Sequence, residues 1–321
     1  MKEKEKISVG LDIGTQSVKI VKLKLNKDKV ELLGSIAEPI AADLTEILKK
    51  LKTAQSIDVA NISLSGGSTL VRYVTFPKMG PEELKQALKF EAQKHIPFNV
   101  SETNIDGYIL KNDLPDNKML VLLAAAKKDL VLSRLKLMED AGIRVNAIDI
   151  DSIALANVFG FNYALPEGSK NAAAALINIG ANFTNLNILE NGLPRLSRDI
   201  HIAGNNFTQK IADSLELDFK AAELLKLNPD KERLNKIVAC FESVLSNLCA
   251  EIRTSFDYYE NQSASTVAKI YLSGGSAKFI GLKDMLANIL GIEVEIFDAF
   301  KKAGQNSSPE FSVAMGVALH S

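Results

Sequence analysis

The stretch Gly10-Leu-Asp-Ile-Gly-Thr-Gln-Ser-Val-Lys19 ends a short apolar run with a polar residue, a glycine and small hydroxyl or amide side chains. The stretch Leu176-Ile-Asn-Ile-Gly-Ala-Asn-Phe-Thr184 repeats this order roughly 165 residues later, a spacing far longer than a solenoid period. Glycine lets the backbone approach an anion closely, and the free N–H groups of such a turn can point at it. The pair therefore predicts a duplicated domain with a nucleotide site between two lobes.

The composition is that of an ordinary globular protein of two domains. The 321 residues are 46% hydrophobic and 24% charged, and the formal net charge is −1. This balance provides no attraction to nucleic acid or to an anionic membrane, and the apolar runs are too short to span a bilayer. Cys240 and Cys249 lie too far apart on one predicted helix to form a disulfide. We therefore expect a reduced, cytoplasmic protein with no nucleic-acid partner and no direct membrane insertion.

The order of the predicted elements indicates an α/β protein in which a smaller unit interrupts the first lobe. The sequence pattern changes at Pro77. A predicted helix over 81–94 follows, and it begins with proline and acidic residues at the positive end of its dipole. The turn-rich segment Pro166-Glu-Gly-Ser-Lys170 predicts the boundary between the lobes. The predicted units are a first lobe of residues 1–76 and 150–168, an inserted α+β subdomain of residues 77–149, and a second lobe of residues 169–321, which has a mostly helical part over 204–262 and a C-terminal helix over 312–319 that can return to the first lobe.

The familiar motifs of nucleotide and hydrolytic enzymes are missing from the sequence. It contains no GxxxxGK[ST] loop, no GxGxxG after a strand and no GxSxG elbow. Leu64-Ser-Gly-Gly-Ser68 and Leu272-Ser-Gly-Gly-Ser276 are similar to the signature loop of transport ATPases, but that class also needs a Walker lysine loop. The three histidines form no metal-binding pattern. We therefore assign no catalytic residue.

Four weak elements, taken in order, indicate one fold. They are the Gly10–Lys19 stretch, Ile177-Asn-Ile-Gly-Ala-Asn182, Ala222-Glu-Leu-Leu-Lys226 and Ser273-Gly-Gly-Ser-Ala-Lys278. This constellation resembles the superfamily of actin, sugar kinases and heat-shock chaperone ATPases. The resemblance implies an α/β, actin-like two-lobed ATPase fold that binds ATP and magnesium.

A second stretch narrows the resemblance. Phe76-Pro-Lys-Met-Gly-Pro-Glu-Glu-Leu-Lys85 and Phe90-Glu-Ala-Gln-Lys-His-Ile-Pro-Phe98 are similar to the signature at the entry to the inserted subdomain of the PilM family. These are type IV pilus assembly proteins related to the division protein FtsA, and the resemblance covers nearly the whole chain. It implies an FtsA-like inserted α+β subdomain.

The resemblance also implies a nucleotide site, residue by residue. Asp12 would order the magnesium shell through water, and Lys19 would act as a point charge on the phosphates. Glu223 and Lys226, three apart on one helix face, would hold the ribose or adenine. The other implied contacts are Gly14, Thr15, Gln16 and Ser17 in the first phosphate loop, Gly180, Ala181, Asn182 and Thr184 in the facing loop, Gly204 and Asn205 in a further turn, and Gly274, Gly275, Ser276 and Lys278 against the adenosine.

Three of these positions have specific reasons for or against a functional role. Asp12 is flanked by apolar residues, and burying a carboxylate there is costly unless it is paired or near a metal. Glu223 and Lys226 have the alternative of a solvated ion pair. Asn178 stands where the family often has an aspartate, so it lacks the charge to hold magnesium or polarise water. We therefore expect ATP to be hydrolysed slowly or not at all.

The implied function is that of a cytoplasmic scaffold held at the inner membrane through its partner. PilM-like proteins bind the N-terminal cytoplasmic tail of the bitopic protein PilN, here expected in a groove around residues 72–98, with motor or other pilus components as further partners. One alternative is an FtsA-like division scaffold, although we expect no amphipathic anchor after the last helix. Another is a small-molecule kinase of the same superfamily, for which no matching motif supplies the base.

Overall fold

The computed structural model describes residues 6–27, 29–163, 172–229, 233–304 and 308–320. Strands and helices alternate along these ranges in an α/β arrangement. The strands are β1 (Lys6–Ile13), β2 (Ser17–Leu25), β3 (Val30–Pro39), β4 (Val59–Leu64), β5 (Thr69–Pro77), β6 (Thr103–Leu114), β7 (Lys118–Lys127), β8 (Arg144–Ile150), β9 (Ala172–Ile179), β10 (Thr184–Glu190), β11 (Leu193–Ile200), β12 (Thr266–Ser273) and β13 (Glu293–Ile296). The helices are α1 (Leu44–Gln55), α2 (Pro81–Glu91), α3 (Lys128–Asp140), α4 (Asp151–Asn162), α5 (Gly204–Leu215), α6 (Phe219–Leu227), α7 (Leu234–Glu260), α8 (Leu282–Leu290) and α9 (Ser312–Ala318).

Two five-stranded sheets share one topology. The first has the order β3-β2-β1-β4-β8, in which β1 is antiparallel to β2 and parallel to β4. The second repeats this order as β11-β10-β9-β12-β13, with β9 antiparallel to β10 and parallel to β12. The turn after β1 and the turn after β9 therefore occupy equivalent positions in the two lobes. The repeated glycine stretches fall on these two turns.

Helices cover both faces of each of these sheets. Between the sheets lie α4 and α9, whose Leu155 and Val313 share a buried core with Leu23 of β2 and Leu189 of β10. On the outer face of the first sheet, α1 and α3 bury a separate core with β1 and β4. The outer face of the second sheet is buried by α5, α7 and α8. Because β1 is covered on both sides, its residues 8–13 are all buried.

The last helix, α9, packs so closely against the first lobe that no side chain fits between their backbones at two positions. A Cβ atom built on Gly10 of β1 would lie 2.0 Å from the carbonyl oxygen of Ala314 in α9. A Cβ atom built on Gly316 of α9 would lie 2.0 Å from the carbonyl oxygen of Ala154 in α4. Only glycine permits these two approaches, because any side chain would meet backbone atoms that cannot move independently.

The third sheet has the order β5-β7-β6, and α2 packs on one face of it through Leu84 and Leu88. Its strands differ from those of the predicted insert over residues 77–149. β5 precedes that range but pairs with β7, whereas β8 lies inside it and pairs with β4 of the first lobe. We therefore propose residues 69–127 as the inserted unit. The apolar pattern of a strand predicts the strand but not the sheet that it joins.

Three smaller predictions concern membrane-spanning helices, the two cysteines and the lobe boundary. No helix within the described ranges combines the length and the apolar character needed to cross a membrane. Cys240 and Cys249 are both free thiols. The predicted lobe boundary at Pro166–Lys170 lies outside the described residues.

We predict that Gly316→Ala destabilises the protein by about 3 kcal/mol, because the new methyl group must displace the backbone of α4. Gly160→Ala is the matched control, since Gly160 lies on the exposed side of α4 and its Cβ atom would meet nothing within 4 Å. The control should gain about 1 kcal/mol from the higher helix propensity of alanine. Denaturant unfolding of both variants measures the difference, and equal stability of the two would contradict the close approach of α9.

Candidate functional site

A cleft of about 520 Å³ lies between the two five-stranded sheets, at the ends of β1 and β9. Asp12 of the first lobe and Asn178 of the second both line it. The structure brings into this one cleft all the residues predicted to contact nucleotide except Thr184. These are Asp12, Gly14, Thr15, Gln16, Ser17, Lys19, Asn178, Gly180, Ala181, Asn182, Gly204, Asn205, Glu223, Lys226, Gly274, Gly275, Ser276 and Lys278.

Thr184 does not line the cleft, because successive side chains of β10 point to opposite faces of the sheet. Its side chain is fully buried, and its hydroxyl donates a hydrogen bond to the carbonyl oxygen of Ile202 at 2.7 Å. Leu186 and Ile188, on the same face of β10, belong to the core beneath the helices of the second lobe. Thr184 therefore fixes the start of β10 and is a structural residue.

The two phosphate-loop candidates close by the same local hydrogen bond. The N–H of Gly14 donates to the carbonyl oxygen of Ser17 at 3.1 Å, and the N–H of Gly180 donates to that of Phe183 at 3.0 Å. A third turn follows β12, where Gly274 has a φ of +90° and a Cβ atom would lie 2.4 Å from the carbonyl oxygen of Ile179. That conformation favours glycine, which explains the Ser-Gly-Gly sequence at this point.

A charged pair lies at the base of the first loop. Asp12 and Lys19 are directly opposite each other on β1 and β2, with the Lys19 Nζ 3.2 Å from the Asp12 Oδ2. Burial lowers the pKa of Lys19, but the Asp12 carboxylate outweighs it and leaves that pKa above its usual range. Lys19 is therefore a permanent cation at the edge where an anion would enter.

Asp151 joins this pair, although it is not among the residues predicted to contact nucleotide. It is the first residue of α4 and lines the cleft, where burial first and the neighbouring Asp12 carboxylate second raise its pKa to about 8. A hydrogen bond from Ser63 and the charge of Lys19 oppose that rise. An available signal was its place directly after β8, since the carboxyl ends of parallel strands meet at one edge of a sheet.

Side chains from the two lobes also bond across the cleft. The Asn182 Nδ2 donates to the Thr15 Oγ1 at 3.1 Å across the cleft, and within the second lobe the Asn205 Nδ2 donates to the Asn182 Oδ1 at 2.6 Å. The Gln16 Nε2 donates to the Asn205 Oδ1 at 3.3 Å. We call these four residues the amide bridge, and they hold the two loops together at the solvent-exposed side.

Glu223 and Lys226 form a buried cluster with the first turn of α5. Lys226 is 4% exposed, and its Nζ lies 2.7 Å from the Glu223 Oε2. The same ammonium donates to the carbonyl oxygen of Gly204 at 3.1 Å and to the Thr208 hydroxyl at 2.8 Å. Burial lowers the pKa of Lys226, and Glu223 opposes this. The two residues are therefore not the solvated surface pair that the sequence left open.

Lys278 and Asn178, two further polar residues of the cleft, are also paired. Lys278 lies 2.9 Å from Glu310, just before α9. The Asn178 Oδ1 accepts a hydrogen bond from the Ser273 hydroxyl at 3.3 Å, and its Nδ2 donates to the Asn185 Oδ1 at 3.3 Å. Asn178 is thus held by its neighbours with its amide facing the cleft.

We predict that Asp151→Asn flattens the pH dependence of stability between about pH 4, where an unfolded aspartate titrates, and about pH 8. Between these values the folded chain keeps a proton that the unfolded chain has released, so rising pH lowers the free energy of unfolding. The variant should match the parent near the lower limit and exceed it most near the upper one. Thermal unfolding across this pH range measures the effect. Glu242→Gln, at an exposed position, is the control. Parallel plots of stability against pH for Asp151→Asn and the parent would contradict the prediction.

Three comparisons place this geometry among known proteins. A family model described as type IV pilus assembly protein PilM matches residues 10–321. A solved PilM–PilN type IV pilus biogenesis complex superposes with a TM-score of 0.84 at 26% identity, over 98% of each chain. MreB5 of Spiroplasma citri, solved with bound ADP, has a TM-score of 0.52 at 13% identity, covering 97% of this chain and 94% of its own. The cell division protein FtsA of Staphylococcus epidermidis strain ATCC 12228 is 20% identical over 96% of this chain and 77% of its own length.

These likenesses agree with the duplicated sheets and the facing loops. The predicted actin-like two-lobed fold is confirmed, since both structural neighbours align along nearly the whole chain. The family match extends from the first glycine stretch to the end of the chain and includes the signature around residues 76–98. The chain belongs to the PilM family of type IV pilus assembly proteins.

Proposed function

We propose that this pilus assembly scaffold binds ATP with magnesium between its lobes and uses the nucleotide as a clamp while it captures the N-terminal tail of a PilN-like membrane protein. The scaffold would lie in the cytoplasm, at the inner membrane, through that partner. The observation that carries the proposal is the pair of equivalent loops, which face each other across one cleft above the Asp12–Lys19 pair. The PilM–PilN and ADP-bound MreB5 structures support it by likeness.

The size and chemistry of the cleft fit a nucleoside triphosphate. Its volume of about 520 Å³ falls among those of small-molecule sites. Lys19 would attract the phosphates, and the loops at Gly14 and Gly180 would present backbone N–H groups to them. Glu223 and Lys226 would border the sugar or base, with Gly274 and Gly275 beside the adenosine. Asp12 is the carboxylate best placed to orient the water shell of magnesium.

Magnesium would depend mainly on the nucleotide for its ligands. Among the described residues no three or more carboxylate, histidine or cysteine side chains are placed to hold a metal. This fits a cation that keeps several waters and is bound through one carboxylate and the phosphates. The metal would neutralise phosphate charge, and Asp12 would position it.

The same residues make a poor hydrolytic site. Asn178 is neutral, and both ends of its amide already have partners in Ser273 and Asn185. Asp151, with a pKa of about 8, holds a proton near neutral pH and is then unable to accept one from water. We infer that bound ATP persists and stabilises the closed arrangement of the lobes.

A second cavity of about 240 Å³ is the proposed site of the partner tail. It lies between the inserted unit, the start of α4 and β11, and its lining includes Arg72, Phe98 and Ser197. Its lining combines apolar side chains with the charged Arg198 and Asp199, which suits a short segment of a peptide.

We predict that magnesium–ATP at about 100 times its dissociation constant stabilises the protein by about 2.7 kcal/mol, because it binds only the folded chain. Lys19→Ala should remove most of this gain, since the charge that attracts phosphate is lost. Lys50→Ala is the control, because Lys50 lies on exposed α1 and pairs with Glu38 away from the cleft. Thermal unfolding with and without nucleotide measures the gain.

Two results would contradict the clamp. One is an equal gain in the Lys19→Ala variant, which would place the nucleotide elsewhere. The other is steady multiple-turnover ATP hydrolysis that disappears in Asp12→Ala, which would make the protein an active ATPase.

We predict that Ser197→Tyr abolishes capture of a peptide that carries the N-terminal tail of the PilN-like partner, because the ring fills the second cavity. Ser133→Tyr adds the same ring to the exposed surface of α3 and should leave capture unchanged. Fluorescence anisotropy with labelled peptide measures both affinities. Full binding by Ser197→Tyr, with its fold shown intact by circular dichroism, would exclude this cavity.

A further inference from the structure

The two cavities are separate spaces with a common wall. The nucleotide cleft and the second cavity are both lined by Ser65, Asp151 and Asn185. Asn178 lines only the first, and Asp199 lines only the second. A ligand in either cavity therefore lies against residues that also border the other.

A chain of hydrogen bonds runs through this wall. The Asn178 Nδ2 donates to the Asn185 Oδ1 at 3.3 Å, and the Asn185 Nδ2 donates to the Asp199 Oδ1. Behind Asn178, the Ser273 hydroxyl donates to its Oδ1 at 3.3 Å. The chain thus connects the turn beside Gly274, at the nucleotide cleft, with a carboxylate in the second cavity. We call Asn178, Asn185 and Asp199 the amide relay.

The polarity of each amide fixes the order of the relay. Asn185 is buried and accepts with its oxygen on one side while it donates with its nitrogen on the other. If Asn178 turns toward a phosphate or its bound water, Asn185 loses its donor and is left with an unsatisfied buried oxygen. Because buried polar groups must find partners, Asn185 then has to rearrange, and its bond to Asp199 changes with it.

The charge of the second cavity depends on the same bond. Burial raises the pKa of Asp199, and the hydrogen bond from Asn185 opposes that rise. Loss of the bond would favour the neutral carboxyl. Arg198, next in the chain, is held by Glu251 and Ser255 on α7 and so does not replace Asn185 as the donor.

We propose that the amide relay couples the two cavities, so that nucleotide in the cleft changes the structure and the affinity of the second cavity, and an occupant of the second cavity changes nucleotide affinity by the same factor. This rests on the proposed function, because it takes the cleft to bind nucleotide and the second cavity to bind an extended peptide. It adds a physical path by which the nucleotide clamp would regulate partner capture.

Hydrogen–deuterium exchange on the full chain, with and without saturating magnesium and the non-hydrolysable ATP analogue AMPPNP, tests the coupling. In the parent, we expect slower exchange both at the cleft, in residues 10–19 and 176–184, and at the second cavity, in residues 69–72 and 97–98. In Asp199→Ala, which breaks the relay at its outer end and outside the nucleotide cleft, the protection at the cleft should remain and the protection at the second cavity should disappear.

Two further variants complete the design. Asp199→Asn keeps an oxygen that can accept the hydrogen bond from Asn185, and it should restore the protection at the second cavity that Asp199→Ala loses. Asn187→Ala is the matched control, because Asn187 is on the same face of β10, lines neither of the two cavities and has no hydrogen-bond partner for its amide among the described residues. It should behave like the parent.

The outcomes separate the coupling from the proposed function. Protection at the cleft without protection at the second cavity in the parent would overturn the coupling and leave nucleotide binding intact. Protection at both places in Asp199→Ala would overturn the role of the relay. No protection at the cleft in the parent would overturn nucleotide binding and the coupling with it.

Discussion

The structure depends on three ionisable side chains gathered at one largely buried edge of the first sheet. Asp12 pairs with Lys19 across β1 and β2, and Asp151, at the start of α4, interacts electrostatically with both. Burying a charge without a partner is costly, and the fold meets this cost by pairing Asp12 with Lys19 and by keeping a proton on Asp151. All three side chains line the cleft in which we propose that magnesium and the phosphates of ATP bind.

The duplication explains why this edge lies in a cleft and not on a surface. Both lobes have the same strand order, and both present a tight turn at the end of the first strand. α4 and α9 fill the space between the sheets, so the strands that lead to the two turns rest on packed helices. Because α9 approaches α4 and β1 at backbone atoms, the end of the described chain supports the strand that leads to the first loop.

The sequence predicted the fold class, and its resemblance to the PilM family implied 18 of the 28 residues that line the cleft. Several of these 18 lie in glycine turns after apolar strands, which leave a local signature. It did not predict Asp151, since an aspartate at the start of a helix is usually only a cap. It misplaced Thr184, whose side chain points into the core because strand residues alternate between faces. The limits that we propose for the insert, 69–127, differ from the predicted 77–149, because a strand pattern does not say which partner β5 or β8 will take. These differences all concern contacts between residues distant in the chain.

The amide bridge has a consequence for the exchange of any bound ligand. Its three contacts join neutral side chains at the exposed side of the cleft, where water can replace each partner at a net cost of about 1 kcal/mol. A closure of this kind opens frequently by thermal motion and needs neither a helper protein nor bond cleavage to do so. If the cleft binds nucleotide as proposed, the bound molecule would exchange with the free pool through this opening, so occupancy would follow the concentration of free nucleotide.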